Sequence, residues 1–201
     1  MEDSENQETT SSFIPDPAPS KKKIFIPILV LLVVIVGSLM AIKASVQKEA
    51  RLANTPVELN EGAELPDFTL TSVTGQQTKV GDLPHKVMLI NFWATWCEAC
   101  MEEMPSLIQL RDQYASKGFE VLGVNVDENP SQVVPGATKK LGIKFPVFTD
   151  KNNSLAEMFD VHAIPLSVLI DKNRKILLVE SGGRDWNAED IHQILDKHLS
   201  N

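Results

Sequence analysis

The 201-residue chain has two cysteines, and they stand three apart in Cys97-Glu98-Ala99-Cys100. That spacing supports redox chemistry when it falls at the start of a helix. There the unpaired N–H groups and the positive end of the dipole stabilise the first sulfur as a thiolate, and the second, one turn on, lies within bonding reach. Such a pair closes and opens as a disulfide, with one sulfur attacking and the other resolving. The alternatives are an inert disulfide, two core thiols or half of a zinc site, and the zinc reading lacks a second Cys/His pair at suitable spacing.

The elements around the pair follow from periodicity. Residues 86–92 (KVMLINF) form a near-continuous apolar run, as expected of a central strand buried on both faces. Residues 97–117 are expected to be a helix with an apolar side at Met101, Met104, Leu107, Ile108 and Leu110, kinked at Pro105 and ended by Gly118. The cysteines therefore fall where a buried strand gives way to a helix.

Residues 119–126 read as the next buried strand, and short strands at 64–72 and 77–80, turning at Gly75-Gln76, read as an added N-terminal hairpin. Residues 131–142 predict a weaker helix that begins at or after Pro135, because Pro135-Gly136 falls inside it. A strand at 145–149 and a short helix at 154–159 follow. Strands at 166–170 and 175–180 form a hairpin through Asp171-Lys172-Asn173, and a closing amphipathic helix spans 187–199, with Ile191, Ile194, Leu195 and His198 or Leu199 inward. This order implies an α/β domain: a mixed sheet flanked by helices.

Charge and composition narrow the function. The net charge is −8, and residues 1–52 carry six acidic and six basic side chains, so the whole excess falls on the rest. No basic face offers itself to phosphates, and nucleic acid is excluded as a partner. Residues 1–23 are a polar, proline-containing tail ending in Lys21, Lys22 and Lys23; residues 24–42 then run without a charge. As a helix that run measures ~28 Å, close to the ~30 Å of hydrocarbon in a bilayer.

It reads as a single transmembrane anchor rather than a cleaved signal peptide, whose apolar region is shorter and ends in a small-x-small site. Lys/Arg near the run count three on each side, Lys21, Lys22 and Lys23 against Lys43, Lys48 and Arg51, and the contiguity of the first three at the membrane edge tips the tail to the cytoplasmic side. Residues 43–60 would then be a stalk, and 61–201 a domain on the periplasmic or outer side of the cytoplasmic membrane.

The chain resembles the thioredoxin superfamily, and within it the membrane-anchored thiol-disulfide oxidoreductases of the TlpA/ResA type. The residues that carry the likeness are Leu89-Ile90-Asn91-Phe92-Trp93-Ala94-Thr95-Trp96-Cys97 with Cys100, then Glu103-Met104-Pro105, Val124-Asn125-Val126, Phe145-Pro146-Val147 and Ile164-Pro165. The resemblance covers roughly residues 62 to 199 and implies a thioredoxin-like fold. It also implies a cis bond at Ile164-Pro165, whose loop lies against the disulfide and leaves backbone groups free for an incoming peptide.

It further implies that Glu128 helps set the cysteine pKa values and moves protons, the more so because Asn91 stands where cytosolic thioredoxins carry a buried aspartate. Glu128 read without the family could equally be a solvated loop carboxylate. Trp93 reads as core, while Trp96, Glu98 and Ile164 are expected on the docking surface. Two departures are Ala99, where the family usually has proline, and Leu166-Ser167, where it commonly has threonines.

The expected function is a membrane-tethered disulfide reductase in which Cys97 attacks and Cys100 resolves, with no cofactor and no metal. Its partners would be exported clients such as apocytochrome c and a membrane thiol-reducing donor. The alternative is a copper-binding chaperone using Cys97, Cys100 and either His162 or Met101, since thiolate and thioether suit Cu(I).

Overall fold

The structure, a computed structural model, describes residues 30–32, 34–43 and 56–200. The chain divides into two compact units, Met1–Arg51 and Leu52–Asn201. In the first, residues 30–32 and 34–43 are helical (α1), with Val30, Leu31, Val34, Ile35 and Leu39 among its exposed apolar side chains. Among the described residues no helix is long and apolar enough to cross a membrane. The rest of the expected span, 24–29 and 33, lies outside the described residues, as do the tail 1–23 and stalk positions 44–55.

The second unit is built on a five-stranded sheet. Strands β3 (Val87–Trp93) and β4 (Phe119–Asn125) are buried along their whole length, as apolar runs covered on both faces must be. They pair in parallel, β4 pairs in parallel with β5 (Val147–Thr149), and β6 (Leu166–Asp171) and β7 (Ile176–Ser181) complete the sheet antiparallel in the order β5-β4-β3-β6-β7. A separate hairpin joins β1 (Thr69–Thr71) to β2 (Gln77–Lys79).

Alternation along β3 sends Val87, Leu89 and Trp93 to one face, and Met88, Ile90 and Phe92 to the other. The first face packs against α2 (Glu98–Tyr114) through Met104, Leu107 and Leu110, and against α5 (Glu189–Leu199) through Ile191, Leu195 and Leu199. Ala137 and Leu141 of α3 (Pro130–Leu141) join that side. The second face is covered by the hairpin, through Phe68, Leu70 and Val80, and by Leu155 of α4 (Ser154–Met158). Gly123 in β4 makes room on the first face, since a Cβ there would stand 3.0 Å from the Phe145 ring and 3.1 Å from Trp93 Nε1.

Several boundaries differ from expectation; β5, expected from 145, begins at Val147. Helix α3 starts at Pro130, not at Pro135. Proline at the first helical position forfeits only an N–H that has no helical partner, and Pro135 removes a single interior bond. β1 is only three residues long, because Glu64 forms an isolated bridge to Lys175 instead of extending the hairpin. The closing helix begins two residues later than its apolar pattern implies, at Glu189.

Candidate active site

Strand β3 delivers the chain to the pair. Beyond Trp93, the loop is pinned by Asp127, whose carboxylate accepts the Thr95 N–H at 2.9 Å, the Thr95 hydroxyl at 2.8 Å and the Asn125 amide at 2.7 Å. Cys97 then caps α2 in extended backbone, and its Sγ accepts the N–H of Cys100 at 3.2 Å. The two cysteines are joined as a disulfide. Cys97 is 7% exposed, whereas Cys100 is fully buried on the core side of the helix. The outer sulfur thus sits where a helix N-terminus favours a thiolate, and the inner one is out of a partner's reach.

Opposite the pair, the Ile164-Pro165 bond is cis, and the Ile164 carbonyl oxygen lies 3.7 Å from Cys97 Sγ. A groove of about 830 Å³ opens beside it, lined by Trp96, Val126, Ile164, Glu157, Asp160 and His162. Trp96 is 69% exposed, while Trp93 is core. Glu98 is exposed on the first turn of α2, and Pro165 is buried.

Behind the pair lies a carboxyl to which the sequence reading gave no role. Glu103 stands one turn beyond Cys100 on the same helical face and is 3% exposed. Its Oε1 accepts the Asn91 amide at 2.8 Å, and its Oε2 accepts the Trp186 indole N–H at 3.0 Å and the Arg184 backbone N–H at 3.4 Å. The Asn91 amide also donates to Ser167 Oγ at 2.9 Å. Burial holds the Glu103 carboxyl above its ordinary pKa, with the negative charge of Glu180 adding to the rise. The hydrogen bonds from Trp186, Asn91 and Arg184 work against it.

Glu128, onto which the resemblance put a proton role, lies on the surface. Glu128 is exposed and makes no hydrogen bond among the described residues, because its neighbour Asp127 is the residue that turns inward. A signal for Glu103 was available, since it places a carboxyl inside the apolar stripe of Cys100, Met104 and Leu107. His162 has an 83% exposed side chain paired with Asp160 at 3.2 Å. Among the described residues no three His, Cys, Asp or Glu side chains could hold a metal ion together, and Met101 packs against the core. His162 therefore does not join the cysteines in such a group.

The Redoxin family profile matches residues 60–195. The thiol-disulfide oxidoreductase ResA of Geobacillus kaustophilus is 34% identical over 135 residues, covering 67% of this chain and 76% of the relative. ResA of Bacillus subtilis is 33% identical over 124 residues, covering 62% and 69%. A crystal structure from Chlorobium tepidum, assigned as a thiol:disulfide interchange protein DsbE, superposes with a TM-score of 0.63 at 32% identity, over 71% of this chain and 99% of that one.

Proposed function

We propose that this chain, which belongs to the Redoxin family and is a ResA-like disulfide reductase, is tethered by residues 24–42 and acts on exported client proteins outside the cytoplasm, apocytochrome c among them. The observation that carries the catalytic reading is the asymmetry of the pair: Cys97 at the helix cap beside the groove and the cis-proline loop, Cys100 sealed behind it.

In the reduced protein, Cys97 thiolate attacks one sulfur of a client disulfide, and the other client sulfur leaves as a thiolate that takes a proton from water. Cys100 thiol then passes its proton to the Glu103 carboxylate. The Cys100 thiolate attacks Cys97 Sγ and releases the second client sulfur, leaving the Cys97–Cys100 disulfide. A membrane thiol donor returns two electrons to the pair, and the proton on Glu103 goes back to Cys100, restoring Cys97 thiolate and Cys100 thiol. A buried carboxylate one turn from Cys100 disfavours thiolates, which withholds stabilisation from the reduced pair and favours electron donation.

The tether is supported by Lys21 to Lys23 preceding an uncharged run, and by the helical, uncharged character of residues 34–42. Export is supported by the chemistry, since stable client disulfides form outside the reducing cytosol. A reporter active only after export, fused at Asn201, should be active, and a Cys100→Ala chain should retain covalently bound clients on the membrane. An inactive fusion beside an active cytoplasmic one would reject the topology, and clients without paired cysteines would reject the substrate class.

A further inference from the structure

The loop between β7 and α5 grips the active-site helix at four points. Gly183 lies against the first turn, where a Cβ would stand 3.2 Å from the Ala99 carbonyl oxygen. The Arg184 N–H reaches Glu103, the Trp186 backbone N–H donates to Ser106 Oγ at 3.1 Å, and the Trp186 indole N–H donates to Glu103 Oε2. The Trp186 ring is fully buried, with the Arg184 guanidinium 5.4 Å from it. Arg184 is itself anchored to Glu180 at 2.9 Å and to both oxygens of Asp190 at 2.8 and 2.9 Å. Phenylalanine could fill much of this space, whereas an indole N–H is costly to bury unless it has a partner. Here the partner is the one carboxyl that shares a helical face with Cys100.

We propose that Trp186 is a positioning residue for the thiol–disulfide reaction: its indole N–H holds Glu103 Oε2, so that the carboxylate stays ionised and fixed as the acceptor of the Cys100 proton. The proposal rests on the proton role given to Glu103 above. Trp186 acts through that carboxylate, to which its indole N–H donates. A donor to the ionised form favours that form. Removing it lets Glu103 keep its own proton to higher pH, where it cannot take one from Cys100.

The test uses the full chain and the pH profile of single-turnover reduction of a synthetic peptide disulfide. In Trp186→Phe the acid limb of the profile should move up by about one pH unit, the size expected for one hydrogen bond to a charged group. Glu103→Gln should abolish that limb, and adding Trp186→Phe to it should change nothing further. A limb that stays in place in Trp186→Phe while Glu103→Gln removes it would overturn the proposal and leave the Glu103 reading intact. A limb that persists in Glu103→Gln would overturn both.

Should the phenylalanine variant fold poorly, the indole ¹H–¹⁵N resonance of Trp186 in the unmodified protein decides the question. It should titrate with the same inflection as the limb and lose that titration in Glu103→Gln. An indole resonance indifferent to pH would overturn the proposal.

Discussion

The Asn91 side-chain amide donates to Glu103 Oε1 at 2.8 Å, a buried bond between the central strand and the active-site helix. Asn91 carries no charge of its own, and Glu103 is the carboxyl that it and Trp186 both hold. The network closes through Ser167 on β6 and Trp186 ahead of α5, so three elements fix its position relative to Cys100.

This arrangement links stability to pH. Burial raises the Glu103 pKa in the native state above its unfolded value, so the folded protein holds this proton to higher pH. The associated stability is fully present below the unfolded pKa and is lost as pH rises through the native one. Thermal unfolding of the oxidised protein should show that decline, and Glu103→Gln should flatten it. Parallel curves for Glu103→Gln and the unmodified protein would show that this carboxyl is not the linked group.

Asp127 is expected to hold the loop that presents Cys97. Asp127→Ala would strand the Thr95 N–H, its hydroxyl and the Asn125 amide, each partly or wholly buried. An orphaned buried donor costs ~1–3 kcal/mol. Denaturant unfolding should show a loss of at least that size, accompanied by slower peptide reduction; an unchanged midpoint would mean that solvent replaces all three bonds.

Ala99 occupies the second position of α2, where its N–H has no helical partner, so Ala99→Pro should fold. Proline restricts the reduced and oxidised loops unequally, and ~30 mV corresponds to ~1.4 kcal/mol for a two-electron couple. A shift of at least that size is expected in a glutathione titration. Equal potentials would show that this position does not tune the pair.

Much of this architecture is legible in the chain. Strands β3 and β4 announce themselves as unbroken apolar runs, and Cys97 falls at the strand-to-helix junction that periodicity implies. The start of α3 is less legible, because Pro135-Gly136 reads as a breaker while the tolerance of Pro130 at the first position carries the helix five residues further back. Glu103 is hard to separate from Glu102 by type alone, since helical phase decides which of the two turns inward. Trp186 is harder still: it meets Glu103 across 83 positions of sequence through an irregular loop, and no local period encodes that approach.

The division of labour between the sulfurs is tested most directly by following the reduced Cys100→Ala chain with a peptide disulfide by intact mass and peptide mapping. A mixed disulfide should accumulate at Cys97, persist, and bear one peptide sulfur, while the unmodified protein passes through it to the closed pair and Cys97→Ala forms none. A lasting adduct on Cys100 in Cys97→Ala, with no adduct on Cys97 in Cys100→Ala, would contradict attack by Cys97 and resolution by Cys100.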